Sequence, residues 1–217
     1  MTSTAKIRES AKHRLVVEGP DDKWTTINLM KMHGWDWDSS QKFYPYVHPA
    51  EGIEAILKSL TTEVQARPRT GFVLDADLSL SDRWAAIRAP LSKLGFSPLA
   101  SPAADGTILE HQGRRVGVWL MPDNQRAGKL EDFLARLIPQ GDACWPWAQE
   151  TVDIAKIKHA APFAEKDRSK AEIHTWLAWR ENPGQPFGTA ITATSFNHDA
   201  ALAAAFVAWM NRLFRDE

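Results

Sequence analysis

Two unbroken apolar runs, each stopped by acids, constrain this chain more than any other feature. Leu15-Val16-Val17 closes on Glu18-Gly19-Pro20, and Gly71 to Leu74 closes on Asp75-Ala76-Asp77. A strand with one wet face alternates apolar and polar residues, whereas an uninterrupted run marks a strand buried on both faces, as in a parallel sheet covered by helices. The intervals carry helical patterns. After Asp21 and Asp22, Trp24, Ile27 and Met30 recur at helical spacing up to Gly34, a C-cap residue. Phe43 to Val47 reads as a short aromatic strand weakened by Pro45, and Ile53, Ile56, Leu57, Leu60 and Val64 then share one helical face. Trp84, Ile87, Leu91 and Leu94 form the next stripe, closed by Gly95. Ile108 to His111 and Val116 to Met121 flank Gln112-Gly113 as a hairpin whose second strand ends at Pro122-Asp123. Beyond that point the pattern is helical: Leu130 to Ile138, Trp147 to His159, Lys170 to Arg180 and Ala200 to Phe214, with Pro139, Pro162, Pro183 and Pro186 in the joining loops. The expected architecture is an α/β core with a mostly parallel sheet over residues 1–125, followed by a C-terminal helical extension over 126–217.

Composition removes several classes. With 26 Lys+Arg against 27 Asp+Glu, the formal net charge is -1, so the whole-molecule field offers nothing to phosphate and a basic-arm binder is excluded. A nucleic-acid contact would need a local basic face or bound metal. The single cysteine, Cys144, rules out an intrachain disulfide framework and a zinc finger, and fits a reducing compartment. Residues 1–12 hold no apolar signal core, so a cytoplasmic location is expected. The wholly apolar stretch Ala200 to Met210 is far shorter than the roughly 20 residues of a membrane span and reads as a packed core helix. Ten tryptophans are many for this length, and the sequence assigns them no function.

In open α/β sheets, sites form outside the carboxyl ends of strands, and here three strands end in acids: Glu18, the Asp75/Asp77 pair and Asp123. The period of two along a strand lets Asp75 and Asp77 project together while Ala76 points away. Two carboxylates so close repel unless a proton or cation lies between them, and oxygen ligands of this kind suit Mg²⁺ or Mn²⁺ with water and substrate phosphate completing the shell. A single Asp at a strand end is more often a turn former or helix cap. The order and spacing of all four make the combination more specific.

That combination, LVVEGPDD (Leu15 to Asp22) followed by FVLDAD (Phe72 to Asp77), resembles the Toprim (topoisomerase-primase) domain over roughly residues 13–125. The resemblance implies a Rossmann-like core acting on nucleic-acid phosphodiesters with Mg²⁺ (or Mn²⁺). It implies Glu18 as general acid or base and Asp75 and Asp77 as metal ligands. Asp22, four residues after Glu18, is similar to the second acid of the ExxxD motif in the overcoming-lysogenization-defect nucleases, which makes it a further ligand. The whole-chain layout, with Met121 to Leu134 and Ser169 to Ala178, also looks like small stand-alone Toprim-like proteins of unassigned function. Toprim nucleases use a second acidic cluster and a later lysine, for which Asp123, Glu131, Asp132 and Lys170 are available. Of these, Asp123 and Glu131 are taken as metal ligands and Lys170 as the catalytic lysine. Glu131 and Asp132 also have a plain reading as first-turn acids of a helix.

Other readings fare worse. The Asp-x-Asp of haloacid-dehalogenase-type phosphatases normally opens its domain, unlike Asp75-Ala76-Asp77. No G-x-G-x-x-G follows the first strand, and Ala127-Gly128-Lys129-Leu130 lacks the glycine and the Ser/Thr of a P-loop. No two of the seven histidines stand at i, i+4, so no helical zinc pair is expected, and His159 and His174 read as helix-face residues. The rival class is a non-catalytic Toprim-fold module that holds metal or nucleotide and binds a protein such as a separately encoded ATPase. Trp145, Trp147, Trp176, Trp179 and Trp209 in the tail would be interface anchors or stacking surfaces for bases, against a plain reading as core. Lys156, Lys158, Lys166, Arg168 and Lys170 cluster loosely enough to face a phosphate backbone, against a plain reading as solvated surface.

Overall fold

A computed structural model of the chain describes residues 11–37 and 44–215. It has a five-stranded sheet, ordered β2-β1-β3-β5-β4, formed by β1 (His13–Val17), β2 (Tyr46–Pro49), β3 (Arg69–Asp75), β4 (Thr107–His111) and β5 (Arg114–Met121). β2, β1, β3 and β5 run parallel, and only the β4–β5 pair is antiparallel. The described helices are α1 (Pro20–Met32), α2 (Ile53–Ala66), α3 (Leu80–Lys93), α4 (Leu130–Ala135), α5 (Cys144–His159), α6 (Arg168–Ala178), α7 (Phe187–Thr192) and α8 (Ala201–Phe214). The mixed α/β class, the mostly parallel sheet and the helical C-terminal region are as the sequence pattern predicts.

The apolar runs are buried on both faces because successive side chains go to opposite layers. Val16, Phe72, Leu74, Val116, Val118 and Leu120 pack under α2 and α3 through Ile56, Leu60, Trp84, Ile87 and Leu91. Leu15, Val17, Val73, Trp119 and Met121 point the other way, into a larger core shared with α1, α4 and the helices that follow. The helical region after residue 126 therefore supplies most of one layer of the sandwich. Its last helix, α8, lies directly on the sheet over two glycines, Gly71 and Gly117, which stand opposite each other on β3 and β5. A Cβ on Gly71 would sit 2.6 Å from Leu15 Cδ1 and 2.9 Å from Leu213 Cδ2, and one on Gly117 would collide with Leu213. The missing side chains form the floor on which Leu213 rests.

The hairpin turn has φ of 48° at Gln112 and 73° at Gly113, the paired positive values that match a two-residue turn to strand twist. Three details differ from the sequence reading. The aromatic strand begins at Tyr46, after Pro45, whose missing N–H keeps it out of the ladder, and runs to Pro49 on a sheet edge; Phe43 lies outside the described residues. The helix expected from Leu130 to Ile138 stops at Ala135. α7, with six residues behind Pro186, was too short to leave a readable period. Of the tryptophans, Trp35, Trp84, Trp119, Trp176 and Trp209 are fully buried core residues, whereas Trp24, Trp147 and Trp179 are exposed. Among the described residues no helix is long and apolar enough to cross a membrane.

Candidate functional site

β1 has β2 on one side and β3 on the other, so the chain leaves the carboxyl ends of β1 and β3 in opposite directions, the switch point at which open α/β sheets form their ligand crevice. Glu18 follows β1 and Asp75 ends β3. Their loops are locked together: the Asp75 backbone N–H donates to Glu18 Oε1 at 2.9 Å. Gly19 caps α1, with Pro20 in the first helical position, and its N–H donates to Asp22 Oδ2 at 3.0 Å. That bond points the Asp22 carboxylate back at the strand end instead of outward.

The second wall comes from the helical region. Asp77 and Gly128 exchange two backbone hydrogen bonds, of 2.9 and 2.8 Å, an isolated bridge between the loop after β3 and the loop before α4. Gly128 has a φ of 143°, and a Cβ there would lie 2.9 Å from Asp132 Oδ2, so the approach requires glycine. From this bridge α4 starts with its Leu130 N–H donating to Asp75 Oδ1 at 3.0 Å. One residue later Glu131 is buried beside the strand ends, at 8% exposure.

Glu18, Asp22, Asp75 and Glu131 thus meet at the carboxyl edge of the sheet with few donors to balance them. Burial, then the negative charges of Asp22, Glu18, Glu131 and Asp77 in that order, pushes the Asp75 carboxyl up to about 9. Burial and the charge of Glu18 push Asp22 up to about 7, with Glu131 adding to the effect. Glu18 is raised too, by burial, against the pull of the Asp75 N–H, Arg83 and Lys129. Asp22 is 8% exposed, and its Oδ1 is buried with no hydrogen-bond partner. An unsatisfied carboxylate oxygen inside a group of acids is the position a cation or a shared proton fills. Hard divalent ions with oxygen shells, Mg²⁺ or Mn²⁺, match this donor set, for which Asp22, Asp75, Glu18 and Glu131 are the available ligands. Among the described residues the ligand atoms of these four acids do not converge as closely as those of His33, His198 and Asp199, which fall within 4.8 Å of one another.

Asp77 does not share the strand alignment with Asp75 expected of it. β3 ends at Asp75, and Asp77 adopts a left-handed φ of 51°, so the strand alternation that would align it with Asp75 has already stopped. Its half-exposed carboxylate pairs with Arg83 Nη2 at 2.5 Å and Lys129 Nζ at 3.9 Å, while Arg83 Nε also donates to the Asp75 carbonyl at 2.7 Å. Asp77 sits at the rim, braced by two cations that sequence reasoning missed. No spacing rule links Asp77 to Lys129, because only the Asp77–Gly128 bridge brings them together.

Asp123 is not brought into the cluster as a free ligand. Its Oδ1 accepts the Gln125 and Arg126 N–H groups at 3.1 and 3.0 Å, and its Oδ2 accepts Arg136 Nη1 at 2.7 Å. It holds the turn after β5, the plain reading of a strand-end Asp. Lys170 is exposed on α6, one turn from His174. The charges of Lys170, Glu131 and Asp21 all act on that histidine, and burial followed by Lys170 holds its pKa low, so this face of α6 borders the acidic edge.

Beside Asp77 opens a groove of about 360 Å³ whose lining mixes Lys129, Lys166 and Arg168 with Asp132, Glu165 and Glu172. The loose basic cluster of the sequence is largely engaged internally. Lys156 Nζ donates to the Ala161 and Phe163 carbonyls, and Arg168 pairs with Asp153, Glu165 and Glu172. Lys158, Lys166 and Lys170 stay exposed.

A family model described as a protein of unknown function, DUF3226, matches residues 12–215. The chain belongs to the DUF3226 family. No curated protein and no solved structure matches it. The match takes in both walls of the acidic crevice, from Glu18 on β1 to Glu131 on α4, so the site lies wholly inside the DUF3226 unit.

Proposed function

We propose that this DUF3226 protein is a Mg²⁺- or Mn²⁺-dependent, Toprim-like phosphodiester-processing enzyme, most simply a nuclease acting on DNA or RNA. The observation that carries the reading is the buried, unpartnered Asp22 Oδ1 within a crevice also lined by Glu18, Asp75 and Glu131. The ion, when bound, supplies Lewis-acid stabilisation of a phosphoryl oxygen and lowers the pKa of a coordinated water. The protein residues do the rest. Burial and neighbouring acids hold Asp22 and Asp75 toward their protonated forms, so binding of a cation there would release protons. Glu18, raised above its ordinary range by burial and fixed by the Asp75 N–H, is the group to take and return a proton. Lys129 and Arg83, both paired with Asp77, and the exposed Lys170 on α6 would be the cations to meet a phosphate.

The test is titration of Mg²⁺ and Mn²⁺ into the wild-type protein and into Asp75→Asn and Asp22→Asn, followed by cleavage assays on single- and double-stranded DNA and RNA. Binding lost in both variants, with cleavage that also requires Glu18, is the expected result. No binding by the wild-type protein up to millimolar metal overturns the proposal.

A second reading rests on the surface of α5, where Trp147 and Ile157 are 60% and 79% exposed, and on the mixed charge of the groove. These favour a metal-holding module docked on a protein partner, such as a separately encoded ATPase. Metal binding without cleavage of any of the four substrates selects this second reading.

A further inference from the structure

α1 carries Asp22 in its first turn, and at its far end a different set of ligating side chains assembles from distant parts of the chain. His33 caps the C-terminus of α1, and His198 and Asp199 lie just ahead of α8. Although 165 residues separate the two histidines, His33 Nε2 lies 2.9 Å from the His198 carbonyl oxygen, and the rings meet edge to face with centroids 5.7 Å apart. One ligand atom from each of His33, His198 and Asp199 falls within 4.8 Å of the others. His198 Nδ1 is buried and makes no hydrogen bond, although Asp199 Oδ1 is 3.3 Å away. That spacing is also the distance between two ligands on a tetrahedral ion with bonds of about 2.0–2.1 Å. The segment is anchored from behind, since the Asn197 N–H donates to the Leu137 carbonyl at 2.6 Å and Phe196 is fully buried.

We propose that His33, His198 and Asp199 form a binding site for a transition-metal ion of the zinc class, joining the end of α1 to the segment leading into α8. Two imidazoles and one carboxylate select borderline ions such as Zn²⁺ over Mg²⁺, which prefers an all-oxygen shell. His33 follows Asp22 by eleven positions on one helix, about 16 Å along the axis, so this site is distinct from the acidic crevice. Three protein ligands leave a position for water, and the ion ties two segments that already touch. Its consequence is mechanical: it fixes the far end of the helix that presents Asp22.

The experiment is calorimetric titration of Zn²⁺ into the full, tag-free chain at neutral pH, with thermal melts, for wild type, His33→Gln, His198→Gln and Asp75→Asn. Wild type and Asp75→Asn are expected to bind Zn²⁺ at micromolar concentration and melt higher with it. Both histidine variants, shown folded by circular dichroism, are expected to bind at least about tenfold more weakly and lose the thermal shift. His33→Gln, at a helix end, decides the matter if His198→Gln does not fold. Zn²⁺ binding unchanged in a folded histidine variant, or lost only in Asp75→Asn, overturns the proposal, as does the absence of Zn²⁺ uptake by wild type.

Discussion

The carboxylates of this protein fall into two groups that differ in how well they are served by donors. Asp142, between α4 and α5, accepts the Cys144 and Trp145 N–H groups at 2.9 and 3.0 Å, Trp176 Nε1 at 3.2 Å and Arg180 Nη1 at 2.8 Å. Burial works against its charge, yet the Trp176 and Arg180 contacts outweigh it and hold its pKa below the ordinary range. Asp123 is tied down in the same manner. At the carboxyl edge of the sheet the balance is reversed: Asp75 and Asp22 face other acids, and their carboxyls are pushed up to about 9 and about 7. The first group spends its charge on holding loops to helices. The second lacks such donors, so burial and mutual repulsion push its carboxyls toward their protonated forms, a cost to stability that a structure tolerates where something else is to bind.

The sharpest way to break this contrast is to neutralise one acid from each group. Asp75→Asn is expected to abolish Mg²⁺ and Mn²⁺ binding and all cleavage while raising the melting temperature of the metal-free protein, since it removes a carboxyl that the folded state must keep protonated where the unfolded chain has released its proton. Calorimetry and melts at pH 8 check both halves, and a metal-free melt that falls refutes the assignment. Asp142→Ala should do the opposite, leaving metal binding intact and lowering stability by about 2–3 kcal/mol, because Arg180 and the indole N–H lose their acceptor together. Denaturant unfolding measures that loss.

A pH series sharpens the same comparison. Asp75 and Asp22 have folded pKa values above their ordinary value of 3.8, so the folded state retains protons that the unfolded chain has released. Stability from these groups is therefore fully present below pH 4 and is lost as pH rises through about 7 for Asp22 and about 9 for Asp75. Melting temperature without metal should fall between pH 6 and 9 in the wild-type protein, more shallowly in Asp75→Asn, and saturating Mg²⁺ should flatten the wild-type curve.

Gly117→Val tests the packing beneath the site. Its side chain would meet Leu213 and lift α8 from the sheet, at about 1–3 kcal/mol by chemical denaturation. The smallest expected effect is that of Lys170→Ala, which should shift stability by less than about 0.5 kcal/mol, as for other exposed positions, while slowing cleavage.

Much of this was legible along the chain. Glu18 and Asp75 stand at the ends of apolar runs, and a strand end followed by a helix cap is written in neighbouring residues. Asp22 was legible locally only as a first-turn acid of the helix opened by Gly19-Pro20; its place beside Glu18 was what the Toprim resemblance implied. Asp77 was only half legible: its place in the sequence was read correctly, but the alternation assumed for it ends at Asp75, where the backbone turns left-handed. Asp123 gave the same local signal as Asp75. What separates them is Arg136, thirteen residues away, which reaches one and not the other.

By itself the sequence determined the alternation of buried strands and helices, the turn at Gln112-Gly113 and the acids at the strand ends, because each depends on periodicity or conformational preference within a few residues. Tertiary structure alone decided the sheet order that sets the switch point between β1 and β3, and the bridge from Asp77 to Gly128 that delivers Glu131 and Lys129. It also decided the meeting of His33 with His198. Those contacts join segments tens to more than a hundred residues apart, and their energies come from burial and charge in three dimensions, which no local pattern encodes.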